Sequence, residues 1–230
     1  MQDYTGDKIR NVVLLSHSGA GKTSLSESML FASGIITRLG KIEDGNTTSD
    51  YDPDEAQHQI SINLALLPCP WKDVKINLID TPGYADFVGE VIAATRVADA
   101  AVILICAASG VEVGTEQVWK YADDRDLPRL ILVNKMEREN ANFYQILEQI
   151  KAGFGKRCIP VQLPIGSQSE FGGLVDLVSM KAYDARGEEV SIPPSLEEAE
   201  SFHEQLVESV VEVDDELVER YLDGQEITEQ

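Results

Sequence analysis

Ser16-His17-Ser18-Gly19-Ala20-Gly21-Lys22-Thr23 concentrates the residue types that bind phosphate. It follows the apolar run Val12-Val13-Leu14-Leu15 and opens a helix-forming segment. The general pattern is G-x-x-x-x-G-K-[ST], here with Ser16 in place of the first glycine. In such a loop the backbone N–H groups of a tight turn and a helix N-terminus face an anion, the lysine adds charge, and the hydroxyl residue serves a Mg²⁺ ion. Gly19, Ala20 and Gly21 would supply the N–H groups, Lys22 the charge and Thr23 the Mg²⁺ ligand.

Two further constellations sit at the ends of apolar runs. Asp80-Thr81-Pro82-Gly83 lies 57 residues beyond Thr23. An Asp at this place in a phosphate-loop protein holds Mg²⁺, and a following glycine can present a bare N–H to a γ-phosphate. Thr-Pro-Gly is also ordinary turn chemistry. Asn134-Lys135-Met136-Glu137 has the form N-K-x-acid. A carboxylate there accepts paired hydrogen bonds from the N1–H and N2 amine of guanine, which adenine lacks, while the lysine stem lies over the ring. Glu137 is one methylene longer than aspartate, so guanine preference is expected with altered geometry. The plainer reading of this tetrapeptide is a polar strand end.

The elements that would carry these residues alternate. Strand-like runs at 9–16, 62–67, 74–80, 101–106 and 130–134 interleave with helical segments near 23–33, 85–98, 114–126 and 141–152. That order predicts an α/β fold with a mostly parallel sheet, helices on both faces and ligands at the carboxyl ends of the strands. Pro68-Cys69-Pro70-Trp71-Lys72-Asp73 signals a hairpin that puts one antiparallel strand on the sheet edge. The polar stretch 34–59 is too long for a routine connection, and loops of that length are functional or loose. After Gly155 short β-like pieces at 159–163, 174–178 and 180–183 precede a helical tail. The tail opens with a Ser195/Glu198 capping box and carries Ala199, Phe202, Leu206, Val210, Val213, Leu217 and Tyr221 as an apolar stripe, broken near Asp214-Asp215.

With 230 residues, 43% hydrophobic and 26% charged, the composition is that of a soluble globular protein. No run is long enough to span a membrane and no leader pattern begins the chain, so a cytoplasmic protein without membrane contact is expected. Cys69, Cys106 and Cys158 lack metal-ligand spacing and suit reduced thiols. The net charge of −21 argues against a broad nucleic-acid-binding face. It is uneven: residues 1–187 hold 18 Lys and Arg against 25 acids, and 188–230 hold one Arg against 15. His17 and His203 have no nucleophile partner in the pattern; local packing or hydrogen bonding accounts for them.

Taken in order, the three signatures resemble the GTPase domain of translation factors, most closely the elongation factor G family. The segment from Asp80 to Val91 resembles the family's DTPGHVDF stretch, and Gly172-Gly173-Leu174-Val175-Asp176-Leu177, Phe202–Glu208 and Tyr221-Leu222-Asp223-Gly224 look like its inserted subdomain. The resemblance implies a GTPase core at 1–157 and an inserted α+β subdomain with an acidic tail at 158–230. It implies GTP or GDP and Mg²⁺ as ligands, held by 16–23, 80–84 and 134–137, with Thr23, Ser61 and Asp80 on the metal. Lys22 and Gly83 would contact the γ-phosphate, and 34–59 and 80–96 would be the two switches. Gln57-His58-Gln59-Ile60-Ser61-Ile62 aligns with the family's E-R-G-I-T-I, so Ser61 replaces the Mg²⁺-binding threonine.

Tyr84 stands where the family's translocating members carry a histidine that positions the attacking water. A phenol whose ordinary pKa is near 10 cannot reproduce an imidazole at pH 7, so slower or differently triggered hydrolysis is expected. The resemblance further implies a monomer acting on the ribosome, with the stalk protein a partner for the acidic tail, whose other reading is a solvated helix face. It also implies a missing final core strand and base contact, and weaker nucleotide affinity in consequence. The reading is thus a GTP-hydrolysing switch domain of an elongation factor G-like protein. The alternatives are a nucleotide-dependent ribosome-binding module with little turnover and another phosphate-loop NTPase that uses ATP.

Overall fold

The computed structural model describes residues 3–223, which fall into two compact units divided between Lys135 and Met136 and taken separately below. Gly224 and the terminal Ile227-Thr228-Glu229-Gln230 lie outside the described residues.

In the first unit five strands form one sheet: β1 (Ile9–Ser16), β2 (Ala65–Trp71), β3 (Val74–Asp80), β4 (Ala100–Cys106) and β5 (Arg129–Asn134). Their spatial order is β2-β3-β1-β4-β5, with β2 antiparallel to β3 and the rest parallel. The helices are α1 (Lys22–Ala32), α2 (Pro53–His58), α3 (Val88–Thr95) and α4 (Val113–Asp123). Strand alternation assigns the faces. Val13, Leu15, Ile79 and Ile103 share a core with Val91 and Ala94 of α3 and Val118 and Ala122 of α4. Leu14 and Leu104 point to the opposite face with Leu25 of α1, where Leu78 meets Leu30. Strands buried on both sides read as continuous apolar runs rather than alternating ones, as Val13-Leu14-Leu15 does. Full burial of each such side chain contributes about 1.5–3 kcal/mol. The strand order reverses direction at β1, so the crevice for a ligand opens at the end of β1, where 17–21 lie.

Several local expectations shift. The hairpin turns at Lys72 and Asp73, and Pro68 and Pro70 pair within β2, opposite Asn77 and Lys75. An edge strand tolerates proline because its missing N–H falls on the open side. The third helix starts at Val88, after a 3-10 turn over Ala85–Phe87. The stretch 34–59 contains α2, capped by Asp52, whose side chain accepts from the Asp54 N–H.

The second unit holds α5 (Phe143–Phe154), the antiparallel sheet β6 (Gln162–Ile165), β7 (Gly173–Asp176), β8 (Lys181–Asp184) and β9 (Glu189–Val190), then α6 (Ala199–Val211) and α7 (Asp215–Leu222). Leu163, Val175, Leu177, Ala182, Leu196 and Ala199 form its core, with Phe143 of α5 and Phe202 of α6 against it. That packing groups α5 with the second sheet. The Ser195 capping box does not form: Ser195 lies in a 3-10 turn, Pro194–Leu196, and Glu198 precedes α6 with no capping hydrogen bond. Asp214 does separate the two final helices, accepting from the N–H groups of Glu216 and Leu217. The apolar stripe fails at its middle, since Val211 is buried while Val210 and Val213 are exposed.

Candidate functional site

The loop after β1 is shaped by two glycines. Gly19 and Gly21 have φ of 76° and 102°, a region that disfavours side chains, and a Cβ at Gly21 would lie 2.6 Å from Asn134 Nδ2. Asn134 donates to the Ala20 carbonyl at 2.9 Å and Lys135 to the Gly19 carbonyl at 2.6 Å. The end of β5 therefore grips the loop from behind. Ala20 itself is buried against Leu14 and Leu104. Ser16, the departure from the glycine pattern, is buried and accepts a 2.8 Å hydrogen bond from Lys22 Nζ while donating to the His17 carbonyl. Its hydroxyl is the partner that a glycine would not supply.

His17 Nε2 lies 3.5 Å from Glu112 Oε1, and its ring packs so closely on Gly114 at the start of α4 that a Cβ there would collide with it. Local packing accounts for this histidine. Its counterpart His203, in the second unit, meets the Leu177 carbonyl through Nδ1 at 2.7 Å.

The end of β3 reaches the same loop. Gly83 lies against Ser18 and Lys22: a Cβ at Gly83 would sit 2.8 Å from Ser18 Cα and 2.9 Å from Lys22 Nζ. Thr81 serves the frame, its hydroxyl donating to the Leu14 carbonyl at 2.6 Å, and Pro82 is buried beside it. Tyr84 is 45% exposed. Met136 and Glu137 open the second unit. Met136 is buried and its carbonyl accepts from the Gln168 N–H, whereas Glu137 is exposed.

Lys22 and Asp80 are both buried. Burial lowers the Lys22 ammonium to about 8 against the pull of Asp80 and Asp50, and raises the Asp80 carboxyl to about 6 against the pull of Lys22 and of the Thr23 and Ser49 hydroxyls. Neither Asp80 oxygen completes a hydrogen bond, and nor does the buried Ser49 hydroxyl. Thr23 Oγ1 lies 3.2 Å from Ser61 Oγ. Among the described residues no three His, Cys, Asp or Glu side chains cluster as a metal cage. One buried, unpartnered carboxylate beside three hydroxyls is instead a hard-oxygen set suited to Mg²⁺ shared with phosphate. The residues present fit that ion.

Three carboxylates that the sequence did not single out hold the long loop. Glu27, buried on α1, accepts from the N–H groups of Gly40 and Thr48. Glu55 of α2 accepts from those of Asp52, Ile62 and Asn63. Asp50 is buried between the Ser61 and Thr47 hydroxyls, its carboxyl raised chiefly by burial. A signal for Glu27 existed: Thr23, Ser26, Glu27 and Leu30 repeat at i, i+3, i+4, i+7, so α1 turns a partly polar stripe inward.

The similarities to known proteins agree with this geometry. Elongation factor G of Thermotoga petrophila and of Thermotoga maritima are each 42% identical over 231 residues, which covers 97% of this chain and 33% of each relative. The chain thus spans about a third of the length of the curated relatives it matches. A solved chain from Thermus thermophilus superposes with a TM-score of 0.91 at 36% identity, covering 97% of this chain and 34% of that one. Residues 7–219 match the family described as Elongation factor Tu GTP binding domain, and the chain belongs to that family.

Proposed function

We propose that this chain is the GTP-binding and GTP-hydrolysing switch domain of an elongation factor G-like protein that acts on the ribosome. The observation that carries the reading is the convergence of Lys22, Thr23, Ser61, Asp80 and Gly83 on one glycine-shaped loop. Backbone N–H groups of 19–21 and the Lys22 ammonium would bind the phosphates, and Gly83, packed against Ser18 and Lys22, would offer its N–H to the γ-phosphate. Water attacks the γ-phosphorus, the bond to the β–γ bridging oxygen breaks, and GDP and phosphate leave. Thr23, Ser61 and Asp80 would hold Mg²⁺, which when bound neutralises charge on the phosphate oxygens. Glu137 would accept from guanine N1–H and N2, with Asn134 and Lys135 keeping the loop beneath the nucleotide.

In this reading residues 1–157 carry the nucleotide chemistry and 158–230 face a partner. Glu204, Glu208 and Glu212 of the acidic tail are exposed and suit a basic surface such as the ribosomal stalk region. The reading is tested by multiple-turnover GTP hydrolysis with and without ribosomes, and by competition of GTP, ATP and XTP for a fluorescent GDP. Hydrolysis stimulated by ribosomes and displacement by GTP alone are expected. Displacement by ATP as effective as by GTP would overturn the guanine assignment.

A second reading, a nucleotide-dependent ribosome-binding module with little turnover, is favoured by Tyr84. It lies exposed at the head of the second switch in place of an imidazole. Ribosome binding that requires GTP while phosphate release stays at the unstimulated rate would select it.

A further inference from the structure

The long loop 33–64 brings a second hydroxyl to the cation site besides Ser61. Ser49 is 3% exposed although its surroundings include the exposed Asn46 and Tyr51. Its hydroxyl has no hydrogen-bond partner, and neither oxygen of the equally buried Asp80 has one. The two face each other closely enough for the Ser49 hydroxyl to draw the Asp80 carboxyl down, yet neither completes a hydrogen bond. A buried hydroxyl and a buried carboxylate that complete no hydrogen bond leave three oxygens unsatisfied, an arrangement that native interiors avoid unless something joins them. Beside them lie the Thr23 and Ser61 hydroxyls, 3.2 Å apart.

The backbone around Ser49 is fixed on both sides. Glu27 accepts the N–H of Thr48, immediately before it, and also that of Gly40. A Cβ at Gly40 would lie 2.6 Å from the Asn46 carbonyl and 2.7 Å from Glu27 Oε2, so the loop closes on this carboxylate only with glycine there. Immediately after Ser49, Asp50 is buried against the Thr47 and Ser61 hydroxyls. Ser49 is therefore held inward by its neighbours on both sides.

We propose that Ser49 is a positioning residue of the divalent-cation site, acting with Asp80 on a hydrated Mg²⁺, so that the long loop meets the cation through two hydroxyls, Ser49 and Ser61. The inference rests on the nucleotide-site reading above. It makes cation binding and loop closure a single event: without the cation Ser49 and Asp80 are left unsatisfied together, and the loop loses a reason to stay closed.

The test uses the full chain loaded with methylanthraniloyl-GDP or its non-hydrolysable GTP counterpart and titrated with Mg²⁺. The readouts are the Mg²⁺ concentration for half-maximal nucleotide retention, nucleotide affinity in EDTA, and the rate of tryptic cleavage after the exposed Lys41. S49A is expected to raise the Mg²⁺ midpoint roughly tenfold, the lower end for loss of a group behind a metal site. Its affinity in EDTA should stay at the wild-type value, and cleavage after Lys41 should become faster only at Mg²⁺ concentrations where the wild type is protected. S49T, which keeps the hydroxyl, should restore the midpoint. An S49A midpoint equal to the wild type, while S61A raises it, would overturn the inference and leave the nucleotide reading standing. A wild type that retains nucleotide without any Mg²⁺ dependence, or binds none, would overturn both.

Discussion

Thr23 and Ser61 are separated by 38 residues of chain, yet their hydroxyl oxygens lie 3.2 Å apart. One belongs to the first turn of the helix behind the phosphate loop, and the other to the end of a loop that runs through α2 and is tied down by Glu27 and Glu55. Ser61 lacks the methyl that would restrict its χ1, so its hydroxyl depends on these neighbours for direction. Ser61→Ala should raise the Mg²⁺ requirement for retaining a GTP analogue by roughly tenfold, whereas Ser61→Thr should match or tighten the wild type. Fluorescent-nucleotide dissociation at graded Mg²⁺ measures both, and an unchanged midpoint in Ser61→Ala would remove this residue from the metal site.

Glu27 is the buried acceptor for two loop N–H groups. Glu27→Ala should destabilise the first unit by about 2 kcal/mol, the cost of depriving buried donors of a charged acceptor. Glu27→Gln keeps one acceptor oxygen and should fall between. Urea denaturation followed through tryptophan fluorescence reads the loss, and wild-type stability in Glu27→Ala would show that the loop does not depend on this clamp.

Gly83 leaves no room for a methyl group between itself, Ser18 and Lys22. Gly83→Ala should displace the lysine or the loop and lower GTP hydrolysis by about 10²-fold, the scale associated with misplacement of reacting groups by about an ångström. Its thermal melting should stay close to wild type, because the clash is confined to the site. Single-turnover hydrolysis and a melting curve on the same preparation separate these effects.

Gln59 ends α2 with φ of 56°, where the resembling family motif carries glycine. A left-handed conformation costs a side-chain-bearing residue about 1–2 kcal/mol. Gln59 recovers part of that through a 3.3 Å hydrogen bond from Nε2 to the Glu43 carbonyl. Gln59→Gly should therefore stabilise the chain by about 0.5 kcal/mol, after glycine's greater unfolded-state freedom is subtracted. A fall in the urea midpoint would show that the Glu43 contact outweighs the strain.

Tyr84 is exposed at the end of β3. If its phenol cannot do the work of an imidazole, Tyr84→His should raise ribosome-stimulated single-turnover hydrolysis by tenfold or more, within the usual range for a positioned acid or base. Equal, fast rates in the two proteins would dismiss the idea that this residue slows the reaction.

The core of the site was legible because its chemistry is local. Lys22 and Thr23 follow a strand and a glycine turn, and Asp80 and Asn134 end apolar runs, so short-range pattern locates them. The ends of β1 and β3 were legible for the same reason, since the apolar stretches Val12-Val13-Leu14-Leu15 and Leu78-Ile79 stop at Ser16 and Asp80. Ser49 and Asp50 were not legible. Within 34–59 they sit among the exposed Asp44 and Asp54 and the half-buried Asp52, and only tertiary closure, with Glu27 accepting from the neighbouring Thr48 N–H, turns them inward. Val210 and Val213 misled for the opposite reason: they keep the helical period, but α6 ends at Val211 and the chain turns before the stripe can be buried.

Pro68 and Pro70 have a consequence beyond tolerating an edge. Another chain seeking to extend the sheet by pairing along β2 would find, at Pro68 and Pro70, carbonyl acceptors but no N–H to answer its own. At these two positions the outer rim is thus blunted by covalent chemistry. A border blunted in this way is a poor template for strands from neighbouring copies.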